Sequence, residues 1–379
     1  MGNSIQHLAE GVSLVASAKT WVEGKAIQQL QQTAKLIGMR QVVGMPDLHP
    51  GRGYPVGAAF FSVGRFYPAL IGNDIGCGMS QWRTTLDRSK HPAEKLEKRL
   101  GNIDGPLDED WRDSVAALDL AASGYEASLG TIGGGNHFAE LQQLDEIYDS
   151  AALQALALDK RQLLLLVHSG SRGLGQEILR AHIERFNHAG LVDDSAEAAE
   201  YLAQHALALR FAQANRRLIA LRMLERLRGE GAPVVDLDHN LLCRASIGGT
   251  SGWLHRKGAA PADAGLVVIP GSRGDHSYLV EPVADEASLL SLAHGAGRKW
   301  MRGECKDRLS ARHTVQQLSR TALGSRVVCN DKHLLYEEAP EAYKAIDSVI
   351  AALQEAGLVR LLARLKPVLT YKTCGEGCA

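Results

Sequence analysis

Apolar positions recur at helical spacing from Ala196 to about Arg228, where Leu202, Ala206, Leu209, Ala212 and Leu218 mark one face and basic residues crowd toward the end, as the helix dipole favours. Shorter helical patterns cover about Gly24–Ile37, Gly175–His188 and Pro340–Ala356. Gln162–Val167 (QLLLLV) is a continuous apolar run that reads as a buried strand ending at His168. Gln41–Gly44, Val234–Leu237 and Leu266–Ile269 read as shorter strands, and Pro46 to Met79 breaks into short strands and glycine-rich turns. There is no repeat period, no low-complexity linker and no clean boundary. Residues able to carry chemistry are spread from Asp74 to Lys372. The expected architecture is one intertwined α+β domain over residues 1–379, with mixed sheets, surrounding helices and a cleft lined by glycine-rich strand-end turns. The segment TCGEGCA, residues 373–379, is expected to be a flexible tail.

Charge and composition narrow the class. Lys and Arg number 42 against 43 Asp and Glu, so there is no overall basic field, and any nucleic-acid site must be local. Arg172, Arg216, Arg217, Arg256, Lys257 and Arg298 are the candidates for such patches. No apolar run approaches the roughly 20 residues that span a bilayer, and the N-terminus has neither a basic start nor an apolar stretch, so a cytoplasmic protein without a membrane partner is expected. MGNSIQ has Gln6 where a myristoylation signal needs Ser or Thr. The six Cys are scattered, which favours free or metal-bound thiols over a disulfide framework; Cys374 and Cys378 form a Cys-x-x-x-Cys pair in the tail.

The 39 glycines are clustered, and several clusters carry a His, Asp or Cys. Asp74 and Cys77 share one turn, while His137, His168 and His239 come from distant segments, two of them at strand ends. Five ligands of N, O and S type exceed one tetrahedral zinc and suit two ions about 3.5–4 Å apart that share a ligand. Imidazole and thiolate beside one carboxylate favour Mn²⁺ or Zn²⁺ over Mg²⁺. Asn136, Asn240, Ser272, Arg172 and Arg298 are phosphate-contact candidates, and GGGN, GSRG and GAGR expose consecutive N–H groups suited to anions.

These residues bring a resemblance with them. MPDLHPGRGYPVG (45–57), DIGCGM (74–79), GGGNHFAE (133–140), HSGSRGLG (168–175), ANRR (214–217), HN (239–240), HRKGA (255–259), PGSRGDHSY (270–278), HGAGR (294–298) and EAPEAYKAID (338–347) occur in the order found in the RtcB family of RNA-splicing and repair ligases, which the chain resembles over nearly its whole length. The resemblance implies a ligase that uses GTP and two Mn²⁺. Asp74, Cys77, His137, His168 and His239 stand at the metal ligands, with Cys77 bridging, and His294 stands at the nucleophile that carries GMP. The same resemblance implies a nucleotide cradle of Asn136, His137, Phe138, Ala139, Glu140, His239, Asn240, Pro270, Gly271, Ser272, Arg273, Ser277, His294, Gly295, Ala296, Gly297, Arg298, Tyr343 and Lys372. Within it, Glu140 and Lys372 select guanine, and Phe138 and Tyr343 lie near the base. Asp47, His49 and Arg172 are expected at the RNA ends. The implied substrates are RNA 2′,3′-cyclic phosphate or 3′-phosphate ends and 5′-hydroxyl ends, handled by a monomer.

Three departures stand out: Arg273, Asp275 and His276 replace Met, Thr and Ala, the chain is short, and the tail runs past Lys372. The first two resemble the branch whose genes accompany release factor H, which implies damaged ribosomal RNA or tRNA as substrate. A metal-dependent cyclic-phosphate hydrolase or phosphodiesterase, and a non-catalytic RNA- or ribosome-binding protein, are the competing readings. His294 and Lys372 argue against the first, and the full ligand set against the second.

Overall fold

The computed structural model describes residues 4–374. An eight-stranded sheet runs in the order Gly231–Asp238, Gly78–Asp87, Gln162–Ser169, Phe138–Ile147, Val359–Thr373, Ser277–Pro282 and Val267–Pro270, each neighbour antiparallel. Val359–Thr373 is long enough to take Ser277–Pro282 along its first half and Arg326–Cys329, in parallel, along its second. A six-stranded sheet follows the order Ile5–Ala9, Val12–Val15, Met39–His49, Val56–Ser62, Thr250–Lys257 and Asn240–Ile247. His239 is the single residue between Gly231–Asp238 in one sheet and Asn240–Ile247 in the other, so the chain passes from sheet to sheet at that histidine.

The run QLLLLV is continuous because both its faces are covered. Leu163, Leu165 and Val167 pack with Ile219, Met223 and Leu224 of the helix Ala196–Leu227, while Leu164 and Leu166 pack with Leu144, Leu279 and Leu365. A separate core fills the space under the six-stranded sheet with Val43, Phe61, Leu254, Ile269 and Leu353. Among the described residues, no helix is long and apolar enough to cross a membrane.

Three expectations shift. The helix expected over Pro340–Ala356 divides into a turn at Pro340–Ala342 and a helix at Ile346–Glu355. Tertiary bonds hold the intervening residues out: Lys344 N–H donates to Gly297 O at 3.0 Å, and its ammonium donates to Pro46 O and Leu48 O at 2.9 and 2.8 Å. The Gln41–Gly44 strand extends to Met39–His49. Thr373 belongs to the long strand and the Cys374 N–H donates to Asp104 at 2.6 Å, so the tail does not begin at 373. Cys378 lies outside the described residues.

Candidate functional site

Strand ends and the turns beside them deliver five ligand atoms to one place. Cys77, His168 and His239 form one group, and Asp74, Cys77 and His137 another, each with its ligand atoms within 4.8 Å of one another and Cys77 common to both. Cys77 Sγ lies 3.2 Å from His168 Nε2 and 3.4 Å from His137 Nε2, and His137 Nε2 lies 2.8 Å from Asp74 Oδ2. Both histidines are oriented from behind, since Nδ1–H of His137 donates to Ile132 O and that of His168 to Asn136 O, each at 3.1 Å. Their Nε2 lone pairs therefore face a sulfur and a carboxylate, and one thiol proton cannot serve both. Acceptors converging at these distances suit a cation between them.

The electrostatics agree with that fit. Burial, reinforced by Asp74, pushes the Cys77 thiol well above its usual range, so ionisation calls for a positive charge. Burial first, then the neighbouring histidines, hold His168 and His239 well below the usual imidazole value, which leaves them neutral and able to ligate. Asp74 Oδ1 is buried without a hydrogen-bond partner. The turn at Gly170 comes so close that a Cβ there would lie 2.3 Å from that oxygen, so only glycine lets His168 and Asp74 share the site.

The helix Ala196–Leu227 braces these turns from beneath. Arg216 is fully buried; its guanidinium donates to Asp236 and Asp238 at 2.7 Å each, to Gly76 O at 2.6 Å and to Ser169 O at 3.3 Å. Those atoms adjoin Cys77, His168 and His239. Asn215 accepts from Gly130 N–H at 2.8 Å and donates to Gly170 O at 3.2 Å, tying the loop before His137 to the turn after His168.

Next to the cluster lies His294, its ring 4.7 Å from that of His239. Its Nδ1 lies 2.7 Å from Asp47 Oδ2. Asp47 is fully buried, and Lys344 bonds the carbonyls on either side of it. The RNA contact expected of Asp47 does not fit this burial: Oδ2 is taken by His294 and Oδ1 is buried without a hydrogen-bond partner, so the carboxylate has no surface to offer an RNA end. His49 lines the cleft, with Nδ1–H donating to Asp47 O at 2.9 Å, and burial pulls it down to about 4.

A cleft of about 250 Å³ opens from His294. Asn136, Phe138, Glu140, Pro270 to Arg273, Ser277, His294 to Arg298, Tyr343 and Lys372 line it. Glu140 accepts from Gln142 at 2.9 Å and from Thr370 at 2.5 Å, and Lys372 donates to His137 O at 3.0 Å. Burial raises Glu140 to about 7 and lowers Lys372 to about 8.

Four expected cradle residues do not line the cleft. Ala139 points to the opposite face of its strand, into the helix-side core. His137 and His239 belong to the thiolate cluster, and Asn240 spends its amide on Asp74 O and Gly258 N–H. His276 turns toward Asp145, its Nε2 3.4 Å away, and its backbone N–H donates to Asp275 at 2.8 Å. The basic patches change as well. Arg216 and Arg256 are buried and bonded, Arg298 is held by Glu338 and Tyr343, and Arg172 lies over Gly133. The sequence reading missed Arg302, Glu338 and Thr370 in the cleft wall. Glu338 opens the EAPEAYKAID motif and could have been found there.

A family model described as tRNA-splicing ligase RtcB matches residues 29–104 and 108–373. The chain belongs to the RtcB family. Relatives in it include the RNA-splicing ligase RtcB2 of Escherichia coli, 57% identical over 99% of both chains. A tRNA-splicing ligase RtcB of Nanoarchaeum equitans is 31% identical, covering 93% of this chain and 94% of its own. The RNA-splicing ligase RtcB of Escherichia coli K12 is 30% identical over 94% and 97%.

Proposed function

We propose that the protein is a GTP-dependent RNA ligase that joins 2′,3′-cyclic phosphate or 3′-phosphate ends to 5′-hydroxyl ends, with His294 as the nucleophile. The observation that carries this is the His294–Asp47 pair where the cleft meets the thiolate-centred cluster. A carboxylate only accepts, so Asp47 holds the proton on Nδ1 and leaves the Nε2 lone pair free. Nε2 attacks the α-phosphorus of GTP, a P–N bond forms, the P–O bond to pyrophosphate breaks, and GMP stays on the histidine. Water opens the cyclic phosphate to a 3′-phosphate, whose oxygen then takes GMP from His294. The 5′-hydroxyl attacks that activated 3′-phosphate and GMP leaves.

Asp74, Cys77, His137, His168 and His239 would hold two divalent ions, Mn²⁺ on the family resemblance, which when bound supply charge neutralisation at the phosphate oxygens. Glu140 accepts from N1–H and N2–H of guanine and Lys372 donates to O6, the polarity adenine lacks. Phe138 and Tyr343 flank the base. Arg273 and the short chain support placement beside release factor H, with damaged ribosomal RNA or tRNA as substrate for a cytoplasmic monomer.

The test uses α-labelled GTP and Mn²⁺. Acid-labile, base-stable label on the protein supports the ligase; cyclic-phosphate opening without label supports a hydrolase, and neither supports a binding module. His294→Ala should lose the label and the sealing of 3′-phosphate ends, yet still seal an RNA end already carrying guanylate. Failure on that pre-activated end, with folding and metal content intact, would show that His294 does more than attack phosphorus.

A further inference from the structure

One segment outside the cleft stands apart in charge. Residues 299–333 contain eight Lys and Arg against three Asp and Glu, in a chain of net charge −1. The helices Arg302–Leu309, Val315–Leu318 and Lys332–Glu337 and the strand Arg326–Cys329 fold around Leu309, Leu318, Leu334 and Leu335. This packing turns Lys299, Lys306, Arg312, Arg320 and Lys332 into solvent. None of the five has an ion-pair partner among the described residues, whereas Arg302, Arg308 and Arg326 are paired with Glu338, Glu304 and Glu97. A polar groove of about 820 Å³ runs through the same face, walled by Thr314, Gln316, Gln317, Ser319 and Arg320 and closed by Val327 and the Arg326–Glu97 pair, in which the one acid is neutralised.

This face is continuous with the cleft. Arg302, in the first turn of its helix, reaches Asn136 Oδ1 and Glu338 Oε1, each at 3.5 Å, and lines the cleft itself. A polymer whose end lies in the cleft therefore has this helix at the cleft wall, with the basic face beyond it. Unpaired, solvated cations on that face suit a polyanion, and hydroxyl and amide groups in the groove suit sugar and phosphate oxygens without reading bases.

We infer that the 299–333 face holds the sugar–phosphate backbone of the RNA flanking the end to be joined, a reading that rests on the ligase function proposed above. The site thus serves RNA with a body several nucleotides long, and a bare dinucleotide end forgoes this surface. Counterions released by phosphates on the face should make binding salt-dependent in proportion to the cations engaged.

The test is a variant carrying Lys306→Glu, Arg312→Glu, Arg320→Glu and Lys332→Glu, none of which belongs to the ligand cluster or lines the cleft. Guanylylation by GTP and Mn²⁺, which needs no RNA, should match wild type. Binding of a labelled 3′-phosphate RNA of about 30 nucleotides should weaken at least tenfold near 50 mM salt, and the slope of log K against log salt should flatten by about 3. An RNA of about 6 nucleotides should be sealed equally by both proteins. Unchanged affinity and slope for the long RNA would overturn the inference and leave the face to an acidic protein partner. Should the quadruple variant fail to guanylylate, the four single Lys or Arg→Gln variants decide, each expected to flatten the slope by about 0.7. Wild-type protein that binds long RNA through this face yet takes no label from GTP would instead refute the ligase reading, so the two failures are separable.

Discussion

At the scale of the residue, the His294–Asp47 pair invites the first prediction. Asp47→Asn keeps the shape but offers an amide that can donate, so the imidazole loses the acceptor that fixes its tautomer. Guanylylation should fall by about 10²- to 10⁴-fold while GTP and metal binding persist. Label incorporation measured beside calorimetric titration checks it, and a loss below tenfold would remove Asp47 from the chemistry. Glu140 gives the second. Burial, opposed by the bonds from Thr370 and Gln142, raises it from 4.5 to about 7. A raised folded value means its contribution to stability is full below about 4.5 and is lost as pH rises through 7. In ligand-free protein, Glu140→Gln should therefore gain on the order of 2 kcal/mol relative to wild type between pH 5 and pH 8. The guanine contact proposed for Glu140 needs the ionised form, so on that proposal the KM for GTP of wild type should climb as pH falls below 7. Equal melting differences at both pH values would contradict the assignment. The candidate metal ligands Asp74, Cys77, His137 and His168 were legible in the sequence because they sit in glycine-flanked turns, and His239 because it closes a strand in an HN pair. Asp47 was not: its partner is 247 positions away, and nothing in MPDLH distinguishes a carboxylate that aims a histidine from one that faces RNA.

Among the elements, the helix Ala196–Leu227 was legible from its periodicity, and QLLLLV from its unbroken apolarity. The role of the helix was not, because the Arg216 that looks like a solvated cation in ANRR is fully buried beneath three ligand-bearing turns. Removing its charge as Arg216→Met leaves Asp236 and Asp238 facing each other without a cation. The expected cost is about 3–5 kcal/mol in urea unfolding. Metal affinity should drop about 10- to 100-fold, since the ligands lose their support. Arg216→Lys keeps the charge but cannot fork to two carboxylates and two carbonyls, and should fall between. Wild-type metal affinity in Arg216→Met would show that the turns hold themselves. The strand Val359–Thr373 escaped sequence reading for a physical reason: Arg360, Arg364, Lys366 and Pro367 break its apolar pattern, and the pairing with Phe138–Ile147 shifts register across Pro367. A proline that would end a regular strand is absorbed at a bulge.

Over the whole molecule, the ligand cluster joins both sheets, so metal binding and global stability are linked. Ions that bind only the folded chain should stabilise it by an amount that grows with the logarithm of their excess over Kd, about 2.7 kcal/mol per site at a hundredfold excess, and so raise the melting temperature. Chelation should reverse this, and Cys77→Ala should abolish it, as read by scanning calorimetry. A melting temperature insensitive to Mn²⁺ would mean the cluster is not a metal site. The place of Val359–Thr373 between Phe138–Ile147 and Ser277–Pro282 has a further consequence, for the order of events during synthesis. Until that strand emerges, the sheet exists as a four-stranded and a two-stranded piece with open edges, one bearing Glu140 and the other Ser277, and Arg326–Cys329 has no strand to pair with. Open edges of this kind recruit other strands, so a nascent chain halted at Leu358 should sediment with aggregates, depend on chaperones and retain no guanine nucleotide. The ribosome must therefore deliver nearly everything described here before any of it can work, and a premature stop anywhere upstream of Thr370 yields an aggregation hazard in place of a weaker enzyme.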